Sequence, residues 1–171
     1  NMLKNDQEKN LINKYNKKNS ILVISPYPEK GEKYGSKVCA VAGYTKNTID
    51  SLGGYYKKNG KNKKFVVLTI KIDNKEQLYE ENGVLVWRIF ERDNLFSYLS
   101  IINAVFKFKN VKDILIGFEF ASFGNSLTTA MFPFVQLILK IMGKKITTVL
   151  HQVVSDFSLL SGHLGWKKSG I

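Results

Sequence analysis

A chain of 171 residues with 44% hydrophobic and 12% aromatic side chains is long enough for one domain with a buried core, and too apolar for a disordered segment. Its single cysteine, Cys39, excludes an internal disulfide framework and offers no zinc-type cluster, which points to a cytoplasmic setting. The formal net charge of +12 suits nucleic acid, an anionic membrane or a phosphorylated ligand, and suits equally a lysine-rich solvated surface.

Residues 1–19 form a polar leader with weak helical spacing at Leu3, Leu11, Ile12 and Tyr15, expected as a loosely packed helix or a disordered lead-in. The leader lacks the apolar centre of a secretory signal. Ile21–Ile24 reads as a strand buried on both faces, ended by Ser25-Pro26-Tyr27-Pro28. After a loop with Gly31 and Gly35, Ala42, Thr45, Ile49, Leu52 and Tyr56 recur at helical spacing. Gly53-Gly54 weakens that helix's last turn, and a lysine-rich loop follows at positions 57, 58, 61, 63 and 64. Phe65–Ile70 and Val84–Ile89 are further strands, joined by a charged turn from Asp73 to Gly83.

Asp93 or Asn94 caps a helix whose apolar face is assigned to Leu95, Phe96, Leu99, Ile102, Val105 and Phe106. Asp113–Phe118 is the fourth strand, followed by a loop to Asn125 and a helix over Leu127–Met142 that Gly143 terminates. The phenylalanines and Met131 of this helix are assigned to the core. Met131–Leu139, the longest apolar stretch, is interrupted by Pro133 and Gln136 and is too short to span a bilayer. A last strand, Lys145–Leu150, delivers His151. Strands that are apolar throughout, alternating with helices, predict an α/β fold: a Rossmann-like parallel sheet with helices on both faces.

Open parallel sheets bind ligands beyond the carboxyl ends of their strands, and three loops lie at that edge. The loop with Gly31 and Gly35 runs into a helix start, where free amides attract phosphate, although it carries neither a GxGxxG fingerprint nor a P-loop. The second loop places Glu119 directly after a buried strand among Phe118, Phe120 and Phe123. That carboxylate reads either as a site residue or as an acceptor for backbone amides. The third carries His151, Gln152, Ser155 and Asp156. His151 either serves a ligand, with a proton exchangeable near neutral pH, or merely closes the strand. Together these groups form a rim suited to a hydroxyl-rich ligand. His163 reads as a loop residue, and no serine sits in a nucleophile elbow.

Four stretches, ILVISPYPEKG, AGYTKNTIDSL, DILIGFEFASFG and KKITTVLHQV, resemble in order and spacing the N-terminal half of retaining glycosyltransferases of the GT-B fold, family-4 type, over roughly residues 20–165. The resemblance implies transfer of a sugar from a nucleotide-sugar, a co-substrate rather than a cofactor, to a hydroxyl acceptor with retention, and no metal. It implies that His151 contacts the donor sugar, and that Glu119, Phe123 and Gly124 lie near the cleft. Gly31 and Gly35 stand apart where the family has adjacent glycines facing the diphosphate; Ala40 stands where the second often falls, and Gly117 replaces a usual histidine. The resemblance covers the acceptor-side domain alone, residues 20–171. The donor-binding domain with its paired glutamates is absent, the chain reads as a fragment, and it is expected to be inactive by itself.

Many such enzymes are peripheral to the inner face of a membrane and use lipid-linked acceptors, so the Lys57–Lys64 loop is a candidate contact for anionic lipid. Two rivals stand beside this reading: a nucleotide-sugar epimerase of the same architecture, and a basic module without catalysis. A nucleic-acid partner is not expected, because the aromatics lie in apolar runs rather than among basic residues.

Overall fold

The computed structural model describes residues 2–32, 39–119 and 126–151. Their elements, in chain order, are α1 (Met2–Tyr15), β1 (Ser20–Ile24), α2 (Ala40–Lys58), β2 (Lys64–Ile70), β3 (Leu78–Glu81), β4 (Val84–Phe90), α3 (Phe96–Lys107), β5 (Asp113–Phe118), α4 (Ser126–Ile141) and β6 (Lys145–Leu150). One six-stranded sheet runs β3-β4-β2-β1-β5-β6. Every pairing is parallel except β3 with β4. The fold is therefore the Rossmann-like α/β arrangement that the strand pattern predicts.

The chain winds outward from β1 through β2 to β4, then crosses back to β5 on the other side of β1. Crossovers of one hand then put the helices on opposite faces. On one face α2 sets Ile49, with the partly buried Leu52 and Tyr56, against Val23, Val67 and Val86. On the other, α1, α3 and α4 cover Leu22, Ile24, Leu68, Leu85, Ile114 and Ile116. Side chains of both faces are buried along β1, which is why that strand reads as continuous apolar sequence.

Three features depart from the sequence reading. The turn between β2 and β4 contains β3, which forms a hairpin with β4 through Asn82 and Gly83 at φ 50° and 77°. Positive φ at both central positions is the signature of the tight turn that Asn-Gly favours. Second, α3 buries Ser97, Tyr98, Ile101, Ala104 and Val105, whereas Leu95, Phe96, Leu99 and Phe106 are exposed. The inner face is rotated from the assigned one, because this helix carries apolar residues nearly all round and the sheet selects those that interlock with it. Third, α4 buries Phe132, Val135 and Leu139 but exposes Met131 and Phe134.

The leader is α1, and it is pinned rather than loose. Tyr15 and Ile12 enter the core, Lys14 pairs with Glu80 at 2.6 Å, and Glu8 pairs with Lys107 at 2.6 Å. The N-cap position of α3 is Leu95 rather than Asp93 or Asn94, although the Asn94 side-chain oxygen accepts the Phe96 amide at 3.0 Å; Gly143 takes φ 76° after α4, as expected of its place.

A buried cation closes the end of α3. Lys144 donates to the carbonyls of Phe108 (3.0 Å), Lys109 (3.4 Å) and Val111 (2.6 Å). Burial, aided by Lys112, lowers its pKa from the usual lysine value. Among the described residues no helix is long and apolar enough to cross a membrane.

Candidate functional site

The order of strands changes direction between β1 and β5, and ligands of open α/β sheets bind in the crevice that this reversal opens. The residues at the carboxyl ends of β1, β5 and β6 meet there. Parallel register sets Phe118 beside Leu150, so Glu119 and His151 leave the sheet as neighbours. The His151 amide donates to the Phe118 carbonyl at 3.0 Å, which extends the ladder by one bond and fixes the backbone that carries the imidazole.

Alternation along each strand then decides which side chains share the α2 face. Val23 and Ser25 of the β1 line, Leu115 and Gly117 of β5, and Val149 and His151 of the β6 line open onto one small cleft. The second and third turns of α2 close it with Tyr44, Thr45 and Thr48. Thr45 donates its hydroxyl proton to the Val41 carbonyl at 2.9 Å, so in the 2.7 Å contact between the Ser25 and Thr45 hydroxyls the serine is the donor. The Tyr44 ring meets the imidazole edge-on, with centroids 4.5 Å apart and planes at 77°. A half-exposed tyrosine and a partly buried histidine thus form one wall.

Gly117 shapes the floor. A Cβ there would overlap the Ser25 hydroxyl and come within 3.2 Å of His151 Nε2. Any side chain at this position would force the Ser25 hydroxyl to move.

Burial lowers the pKa of His151 from its ordinary 6.5, and the Glu119 carboxylate pulls it partly back. The imidazole is therefore neutral at neutral pH, with one nitrogen able to donate a hydrogen bond and the other to accept one. The cleft is lined by a neutral imidazole and by the hydroxyl-bearing side chains of Ser25, Tyr44, Thr45 and Thr48, beside the first turns of α2, where the helix dipole favours negative charge, and the Glu119 carboxylate acts on the imidazole electrostatically.

Gly31 lies elsewhere. It has φ 88°, and its amide donates to a Glu81 carboxylate oxygen at 2.6 Å. Glu81 belongs to β3, at the opposite end of the sheet from β6, so the structure does not bring Gly31 to His151. An amide already held by a carboxylate is also poorly placed to receive an anion. The surrounding loop is clamped by Arg88 of β4, which donates to the carbonyls of Tyr27 (3.4 Å), Pro28 and Ile70 (3.1 Å) and to the Tyr79 hydroxyl (2.9 Å). Arg88 is only 2% exposed, so this is an internal brace.

Gly35, Phe123 and Gly124, and with them Gln152, Ser155 and Asp156, lie outside the described residues. Ser25, Tyr44 and Thr48 are site residues that single-sequence reading passes over. Their signal is register: each becomes a wall residue only once β1 is known to lie beside β5, under α2. No family model matches the chain, and no curated protein is found to be similar to it.

Proposed function

We propose that this chain is the acceptor-side domain of a retaining glycosyltransferase of GT-B architecture. It would act with a donor-binding domain to pass a sugar from a nucleotide-sugar to a hydroxyl acceptor. The observation that carries this reading is the emergence of His151 and Glu119 side by side at the sheet's reversal point, above Gly117 and against Tyr44. A neutral imidazole and a carboxylate suit the hydroxyls of a hexose, and a tyrosine edge suits its apolar C–H surface.

In such a transfer the bond from the anomeric carbon to the diphosphate oxygen breaks, the acceptor oxygen forms the new bond on the same face, and the acceptor's hydroxyl proton passes to the departing diphosphate. Negative charge grows on the leaving diphosphate while positive charge grows at the anomeric centre. Fixed dipoles aimed at those charges lower the barrier without having to reorganise. The role assigned to His151 is to hold a sugar hydroxyl in the reactive orientation. Burial holds the imidazole neutral for that role, and Glu119 opposes the shift only in part. The α2 terminus favours the anionic end of the donor.

The test is release of nucleoside diphosphate when the protein, translated from its complete coding sequence, is given UDP- and GDP-hexoses with glycan or lipid-linked acceptors. His151→Ala should lower turnover by about 100-fold, the scale of losing one preorganised hydrogen bond at a reacting centre. Unchanged turnover would remove His151 from the mechanism. Isomerised sugar-nucleotide without diphosphate release would favour the epimerase.

A further inference from the structure

We infer that a cavity between α1 and the β3–β4 hairpin binds a neutral sugar unit, at a site separate from the cleft around His151. The inference goes beyond sugar transfer and stands without it. The cavity measures about 270 Å³ and is walled in part by Trp87. It lies at the β3 edge of the sheet, on the face that α1 and α3 cover. His151 follows β6, at the opposite edge, and opens onto the α2 face.

The floor of the cavity is apolar. Leu78 and Trp87 are cross-strand partners in the hairpin, and Leu11 of α1 packs against the same core. All three are only partly buried, so apolar surface remains open to the cavity. The indole is held in place from two sides. Its ring meets Phe108 edge-on with centroids 6.3 Å apart, and Lys107 Nζ stands 4.9 Å from its centroid. Aromatic and aliphatic surface of this kind suits the C–H face of a sugar ring.

The walls are polar, and their charges are already matched. Glu8 pairs with Lys107 at 2.6 Å, Glu76 with Lys30 at 2.8 Å, and Lys75 with Glu29 at 3.5 Å. The cavity therefore presents no net charge that would select an ion, yet each carboxylate keeps lone pairs for hydroxyl donors. Gln7 of α1 adds an exposed amide, both donor and acceptor. Gln77 gives an independent sign. Its amide nitrogen donates to the Ile72 and Lys75 carbonyls at 2.7 Å each, while its Oε1 is buried with no hydrogen-bond partner among the described residues. A buried acceptor in that state is costly, and a ligand hydroxyl reaching the inner wall would satisfy it. An apolar floor under acceptors and matched charges is the chemistry of a neutral, hydroxyl-rich ring.

Proton NMR of the Trp87 indole N–H in the 171-residue chain tests this, with Trp166→Phe so that one indole remains. Methyl glucoside, methyl galactoside and methyl mannoside are the probes. Tetramethylammonium and acetate serve as ionic controls, and uridine as a flat neutral one. At least one glycoside should shift the indole signal with a Kd of about 1–10 mM, the range for a ligand of about a dozen heavy atoms at ordinary efficiency. Gln7→Ala with Glu76→Ala should weaken that binding about tenfold, as two hydroxyl contacts are lost. Both positions are exposed, and unchanged far-ultraviolet circular dichroism would establish that the variant folds. His151→Ala should leave the shift intact, because its side chain lies on the other face of the sheet. The proposal falls if no glycoside moves the indole, or if uridine or an ionic control moves it and the glycosides do not. It falls equally if the Gln7/Glu76 variant binds as tightly as the parent, or if His151→Ala abolishes the shift, for then the sugar sits in the other cleft.

Discussion

The hydroxyl of Ser25 occupies the space that a side chain at position 117 would need, with the His151 imidazole pressed close beside it. A Cβ on Gly117 would stand 3.0 Å from Ser25 Cβ and 3.2 Å from His151 Nε2. Gly117→Ala should therefore displace one of the two, at a cost of about 1–3 kcal/mol for overpacking. Thermal unfolding measures the cost, and the ring proton shifts of His151 report the displacement. A variant with parental stability and an unmoved imidazole would disprove the crowding.

The imidazole also predicts a pH dependence. Its folded pKa lies below 6.5 because burial penalises the charged ring, with Glu119 opposing. As pH falls through 6.5 the unfolded chain takes up this proton first. Stability from His151 is thus complete above 6.5 and lost between 6.5 and the lower folded value. Proton NMR of the ring, with His163→Gln to assign the second histidine, should place the midpoint below 6.5. Glu119→Gln should move it further down, and an upward move would mean that the carboxylate does not face the ring.

Arg88 braces the loop after β1 from beneath. Arg88→Met removes the guanidinium donors to the Tyr27, Pro28 and Ile70 carbonyls, which should cost about 3 kcal/mol. Arg88→Lys should recover only part, since one ammonium cannot span the guanidinium's fork. Limited proteolysis should then cut near Pro28 before any other described loop. Equal resistance in parent and variant would argue against the brace.

Two glycines should respond in opposite directions. Gly83→Ala forces a side chain into φ 77° in the β3–β4 turn and should cost about 1–2 kcal/mol. Gly54 lies inside α2 with nothing within 4 Å of the point where an alanine methyl would sit, so Gly54→Ala should stabilise by about 0.5–1 kcal/mol. Chemical denaturation midpoints compare them directly.

Much of the fold is legible in the sequence because β1, β2, β4 and β5 are buried on both sides and must be apolar at nearly every position. β3 is legible only through Asn82-Gly83: four residues with one fully buried side chain, Tyr79, leave no periodic trace. The inner face of α3 is not legible, since a helix with apolar groups nearly all round has no single direction of amphipathicity, and the interlock of Tyr98, Ile101 and Val105 with the sheet decides it. At the site, His151 and Glu119 are readable because each directly follows a strand. Ser25, Tyr44 and Gly117 gain their meaning from strands distant in sequence, so no local pattern announces them.

Lys144 ties together two turns that lie 36 residues apart in the chain. From its place between α4 and β6 its ammonium reaches the Phe108, Lys109 and Val111 carbonyls in the turn between α3 and β5. Loss of that one side chain would therefore loosen two crossovers of the sheet at once.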